Sequence, residues 1–233
     1  MGGYYYYGGY SFLIFMIPAF LIALIAQINV KHTFAKYSGV YSRRGQTGAQ
    51  IARSILDMNG LRSVSIERIS GDLTDNYDPR DRTVHLSDGV FGSSSVASIG
   101  VAAHETGHAV QHSMGYGPLK LRNAIIPVTQ ISSSLSIWFV LLGIVVSWLP
   151  LAYLGILLFS FAVLFQLVTL PVEFNASSRA LRTLEQSGML EGEELDGARK
   201  VLRAAALTYV AATVVAFLQL FRLIAMVSGS RRD

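Results

Sequence analysis

From Asn123 to Val172 the chain runs for fifty residues without a charged side chain. A helix needs about 20 apolar residues to cross a hydrocarbon layer of about 30 Å, so this stretch is long enough to cross twice. Trp148-Leu149-Pro150 falls near its middle. Proline resists the continuation of a helix, so the stretch divides into two spans joined by a tight turn. Residues 11 to 30 are likewise uncharged and rich in Phe, Leu, Ile and Ala. Ala204 to Val227 is interrupted only by Arg222 near its end, from where a long side chain reaches the headgroups. Four transmembrane helices are expected. Tyr4 to Tyr7, Trp148 and Tyr153 read as interfacial aromatic anchors, and the opening Met1-Gly2-Gly3 has neither a basic residue nor a cleavage site of signal-peptide type.

Once the spans are set aside, about a hundred residues remain for a water-facing part. That remainder is too small to build a large core alone. Cysteine is absent, which removes disulfides, thiolate nucleophiles and Cys-ligated zinc, so any metal must take histidine or carboxylate. The net charge of +4 does not point to nucleic acid, because Lys and Arg are not gathered on one face with aromatic partners. Their placement reads as topology. Eleven of them lie between residues 31 and 122, and Arg179, Arg182, Arg199, Lys200 and Arg203 lie in 173–203, so both segments are expected on the cytoplasmic side with the termini outside. Only Arg231 and Arg232 oppose this. The expected organisation is a first span over 1–30, a cytoplasmic domain over 31–122, a transmembrane hairpin over 123–172, a cytoplasmic helical segment over 173–203 and a last span over 204–233.

Within the first cytoplasmic segment, Thr47 can cap a helix whose Ile51, Ala52, Ile55 and Leu56 recur at helical spacing, with Asn59-Gly60 as its stop. Val64 and Ile66 then alternate with polar residues, Asp72 to Pro79 is turn chemistry, and Thr83 to Ser87 alternates again. This reads as a hairpin-like pair with a long polar connection. Ser93-Ser94-Ser95 offers an N-cap for a helix through about Gln111, stopped by Gly115, Gly117 and Pro118.

That helix contains His104-Glu105-Thr106-Gly107-His108. Two imidazoles four residues apart share one helical face and can converge on one ion, while the adjacent Glu105 points at water held there. Such a pattern also arises by chance on surface helices. Here the flanking Ala103, Thr106, Gly107, Ala109 and Val110 are small or apolar, so the helix can be buried, and a buried His-Glu-His group is costly without an ion. For a third ligand, His112 lies about 12 Å along a straight helix from His104, too far for one ion. The longer motif with a third histidine would need one at position 114, where the chain has Met114. Asp196 is surrounded by Glu193, Glu194, Arg199 and Lys200 and reads as a solvated helix start. Glu173 stands at the edge of the fifty uncharged residues, which invites a functional reading beside that of a membrane-boundary charge. Ser177, one turn on, can orient Glu173 or a ligand histidine.

The runs Leu73 to Arg80, Val84 to Ser87, Ala102 to Gln111 and Leu170 to Ser177 together resemble the neutral zinc metallopeptidases of the YugP type, over nearly the whole chain. The resemblance implies a bacterial integral membrane zinc peptidase of the gluzincin class. It implies one Zn²⁺ per chain, His104 and His108 as ligands and Glu105 as the catalytic carboxylate. Glu173 is implied as third ligand by similarity to the Glu-x-x-Ala-Asp run of the prenyl-protein and heat-shock membrane proteases, from which this chain departs with Ser177 in place of Asp. The fold class expected is an α-helical membrane protein with a small α+β, zincin-like cytoplasmic domain carrying the His-Glu-x-x-His helix.

The expected activity is metal-assisted hydrolysis of peptide bonds in membrane-associated proteins or peptides, near the cytoplasmic face of the bacterial inner membrane. The strand over residues 83–87 is expected to bind substrate backbone by strand addition. Tyr77, His85, His112 and Arg179 are the candidates for stabilising a developing oxyanion. The competing expectation is a metal-binding membrane scaffold or channel-like protein without hydrolysis, for which Ser132-Ser133-Ser134 and Ser136 would suit either close helix packing or a conduit. No phosphate-binding Gly-Lys-Ser/Thr loop is present, so no nucleotide energy source is expected.

Overall fold

The computed structural model describes residues 3–229, with side chains from residue 12 onward. The side chains of Tyr4 to Tyr7, and Arg231 and Arg232, lie outside the described residues. In chain order the elements are α1 (Gly3–Ser38), α2 (Gly48–Met58), β1 (Ser65–Ile69), β2 (Asn76–Asp78), β3 (Thr83–Ser87), α3 (Asp88–Phe91), α4 (Val96–Ser113), α5 (Gly117–Val145), α6 (Leu149–Gln186) and α7 (Gly192–Gly229). They form two compact units: Met1–Gln27, Leu121–Leu170 and Thr208–Asp233 make one, Ile28–Lys120 and Pro171–Leu207 the other.

Four helices, α1, α5, α6 and α7, are long and apolar enough to cross a membrane. In the first unit, α5 ends where Ser147 turns into the left-handed region at φ 57°, and Trp148 N–H closes the turn on the Gly143 carbonyl at 2.8 Å. Pro150 therefore lies inside the first turn of α6, where its missing N–H costs nothing. The break itself is made at 146–148. An added Cβ at Gly143 would stand 2.4 Å from the Ala152 nitrogen, and one at Gly155 would stand 2.6 Å from the Ser136 carbonyl oxygen. Small residues thus bring the backbones of α5 and α6 into contact. The buried Ser132 and Ser136 donate to carbonyls of their own helix, at Thr129 and Ser133. At Ser136 the close approach of Gly155 is a packing contact, while Ser134 is exposed. The Arg222 guanidinium lies over the Phe12 ring, 5.1 Å from its centroid.

In the second unit, α2 forms as its sequence dictates. Thr47 accepts from Gln50 N–H while the Gln50 side chain accepts from Thr47 N–H, a reciprocal cap, and Ile51, Ala52, Ile55 and Leu56 are buried. The sheet corrects the expected hairpin. Its order is β1-β3-β2, with β1 parallel to β3 (Ile66 opposite Val84) and β2 antiparallel to β3 (Tyr77 opposite Val84). The alternating pattern identified β1 and β3 but carried no information on direction. The stretch taken as connection holds a strand of three residues, too short for periodicity to reveal. Because β3 is paired on both sides, residues 83–87 have no edge to offer a substrate. Beyond the end of β2 the carboxylate of Asp75 accepts from the N–H of Ser87 at 2.7 Å and from its hydroxyl. The open edges of this sheet are β1 and β2.

Helix α4 is capped by Ser95, whose hydroxyl accepts from Ser98 N–H at 3.2 Å. It runs between two apolar clusters. Val96, Ile99 and Ala103 face Ile51, Ile55, Ala180, Leu184, Leu195, Ala198 and Leu202, while Ala102 and Ala109 face Leu56, Val84, Leu86 and Val90. Beyond Val172 helix α6 does not stop, because its continuation buries Ala176, Ala180 and Leu184. Likewise α7 begins well before Ala204 and buries Leu195, Ala198 and Leu202. Helix ends here are set by packing rather than by the boundary of apolar composition.

Candidate metal centre

The small residues of α4 let it sit in the interior of its unit, so its polar face is turned onto α6 rather than into bulk water. His104 and His108 stand one turn apart with their rings nearly perpendicular and centroids 4.7 Å apart. From α6 the Glu173 side chain, 2% exposed, brings Oε2 to 3.3 Å from His104 Nε2 and 3.7 Å from His108 Nε2. The three ligand atoms all lie within 4.8 Å of one another. A tetrahedral ion with ligands at about 2.1 Å holds those ligands about 3.4 Å apart, so the separations fit a single ion. Two imidazoles and a carboxylate also form a donor set suited to zinc. Glu105 is buried beside them at 8% exposure. Burial pushes its carboxyl above the ordinary range, against the pull of the neighbouring imidazoles. Burial pushes the His108 imidazole down, but the Glu173 and Glu105 carboxylates outweigh it and hold the ring above its usual value in the metal-free site.

The far side of each ring is also held. Ser177 Oγ lies 3.1 Å from His104 Nδ1. Gln111 Oε1 lies 3.0 Å from His108 Nδ1, and Gln111 is completely buried. The Gln111 amide nitrogen donates to the Val172 carbonyl at 2.8 Å and to Asn175 Oδ1 at 3.0 Å, so the residue joins α4 to α6. Sequence reasoning missed Gln111 and Asn175. The available signal was the spacing of three residues from His108 to Gln111, which puts both on one face of a helix.

Contact between α4 and α6 depends on Gly107. A Cβ there would stand 2.9 Å from the Ala176 carbonyl oxygen, a backbone atom one turn past Glu173. Alanine would gain about 1 kcal/mol of helix propensity, but overpacking against backbone typically costs about 1–3 kcal/mol. Gly107→Ala is therefore expected to lower the thermal midpoint in detergent and to weaken zinc binding, both measurable on the full chain. An unchanged zinc affinity would show that the separation of α4 and α6 does not set the site.

The remaining candidates are placed as follows. Tyr77 OH and His112 Nδ1 are 2.8 Å apart, so two of the four oxyanion candidates form one pair at the end of α4. His85 lies outside the ligand group, with Nε2 3.5 Å from Asp81 Oδ2. The Arg179 Nε–H donates to Asn175 Oδ1 at 2.7 Å, and its Nη1 contacts Met114 Sδ at 3.3 Å. Asp196 is exposed near the start of α7 and pairs with Arg199.

The chain is 47% identical over 222 residues to the protein named "Putative membrane protease YugP" of Bacillus subtilis (strain 168), covering 95% of this chain and 99% of that one. No solved structure matches the chain significantly. Residues 12–228 match the model of the family described as "Putative neutral zinc metallopeptidase". That match runs from the first apolar helix to the last and takes in both imidazoles and the acid that meets them, and so this chain belongs to the neutral zinc metallopeptidase family.

Proposed function

We propose that the protein is a membrane-embedded zinc endopeptidase of the gluzincin type, with His104, His108 and Glu173 as ligands of one zinc ion and Glu105 as general base. The observation that carries this reading is the approach of Glu173, distant in sequence, to within 3.3 and 3.7 Å of the two Nε2 atoms. A zinc ion held there supplies Lewis acidity, polarising a peptide carbonyl and lowering the pKa of water towards about 7. Glu105 accepts the proton of the attacking water and delivers it to the leaving amine. Its burial restricts access of bulk water to that carboxylate. The Tyr77–His112 pair supplies a hydroxyl and an imidazole suited to a developing oxyanion. An extended substrate is accommodated along β2, the open strand that packs against α4 and carries Tyr77.

Substrates are membrane-associated proteins or peptides, cut near the cytoplasmic face of the bacterial inner membrane. Two features support that placement. Glu173 follows Leu170, the last α6 residue of the apolar unit, by three positions, and the segment that bears the histidines carries the concentration of Lys and Arg. The test is cleavage of a fluorogenic peptide by the purified full chain. Turnover is expected with zinc, lost on chelation and restored by adding zinc back. Turnover that ignores the chelator would remove zinc from the chemistry, whereas stoichiometric zinc without turnover on any peptide or membrane-protein substrate would favour a metal-binding scaffold.

A further inference from the structure

Resting on the metal-centre reading, we infer that Gln111 is a positioning residue that fixes the tautomer of His108 and so aims an unprotonated Nε2 at the ion. The inference follows from which partners can donate and which can accept. Arg179 has donors only, so the Asn175 atom 2.7 Å from its Nε must be the amide oxygen. That oxygen lies 3.0 Å from the Gln111 amide, which must therefore present its NH₂ group there. The Val172 carbonyl, an acceptor only, lies 2.8 Å away and demands the same orientation independently. With both amide hydrogens placed, Oε1 is the end that faces His108 Nδ1 at 3.0 Å, and it can only accept. Nδ1 must then carry the proton. The opposite nitrogen is left with its lone pair turned towards Glu173 and the ion position.

The same argument does not hold for the other ring. His104 Nδ1 faces the Ser177 hydroxyl at 3.1 Å, and a hydroxyl can donate or accept. Of the two imidazoles, His108 alone meets a partner whose polarity is fixed from outside, by a backbone carbonyl on one hand and the Arg179 charge on the other. Gln111 is 0% exposed, so water does not compete for its bonds.

The test uses the full chain in detergent, with zinc affinity read by competition with a chromophoric chelator. In the metal-free wild type, at a pH high enough for the His108 ring to be neutral, selective ¹⁵N labelling of histidine should show His108 with a protonated, pyrrole-type Nδ1 and a pyridine-type Nε2. Gln111→Met keeps the volume and loses the polarity; it should mix the two tautomers and weaken zinc binding by about 10- to 100-fold. Gln111→Glu keeps the acceptor at Nδ1 while removing both donations to α6, and should recover most of that loss. A neutral His108 ring with its proton on Nε2 rather than Nδ1 in the wild type, or equal zinc affinity in Gln111→Met, would overturn the inference. So would Gln111→Glu as weak as Gln111→Met, since the residue would then be a clamp between helices. A wild type whose zinc binding survives His108→Ala removes the metal-centre reading itself. One zinc bound through His108 and untouched by Gln111→Met removes this inference alone.

Discussion

Glu105→Gln is expected to leave zinc content as in the wild type and to slow peptide hydrolysis by about 10²- to 10⁴-fold, the usual contribution of a positioned acid–base group. Glutamine is nearly the same size, so the buried position at 8% exposure is refilled without a cavity. It also relieves the cost of ionising a carboxyl whose burial opposes charge, so the variant should fold at least as well as the wild type. What it cannot do is take a proton from water. Two measurements on one preparation decide the matter: metal content by elemental analysis and turnover of a fluorogenic peptide. Hydrolysis retained at the wild-type rate, with zinc bound, would remove Glu105 from the chemistry and with it the reason for an acid beside the first imidazole.

Glu173→Ala should produce the complementary result, in which the metal itself is lost. Removing an outer partner of a ligand costs about 10–100-fold in affinity, so removing a ligand should cost more than that. Alternative acids and imidazoles are engaged elsewhere: His112 is bonded to Tyr77, His85 is close to Asp81, and Asp196 is paired with Arg199. The variant therefore leaves two imidazoles with no third anchor among the described residues. Chelator competition checks the affinity, and circular dichroism checks that the helices persist. Wild-type affinity in a folded Glu173→Ala protein would mean that the carboxylate approaches the imidazoles for a structural reason only.

Much of this arrangement could be read from the amino-acid order, and what could not has identifiable physical causes. Runs without charge are nearly unambiguous because the energetic penalty for a charge in hydrocarbon is large. Local capping was equally legible, since Thr47 and Gln50 satisfy each other within four residues. Glu173 attracted attention because a lone acid at the edge of an apolar run is conspicuous. The sheet was misread for the opposite reason. Alternation reports which face of a strand is buried but not which strand lies beside it, and β2 is too short to alternate. Gln111 was invisible because its role is defined by Val172 and Asn175, sixty-one and sixty-four positions away. Gly107 was legible as one of the small residues that let α4 be buried, but not its approach to the Ala176 carbonyl, which lies on a helix distant in sequence.

The order of the three proposed ligands along the chain has a consequence for biosynthesis. His104 and His108 are synthesised first, then all of α5 and the greater part of α6, and only then Glu173. A nascent chain whose leading segments have already folded still lacks the acid until both hydrophobic hairpin arms have left the ribosome. A complete set of proposed ligands is thereby delayed until most of the polypeptide has been made.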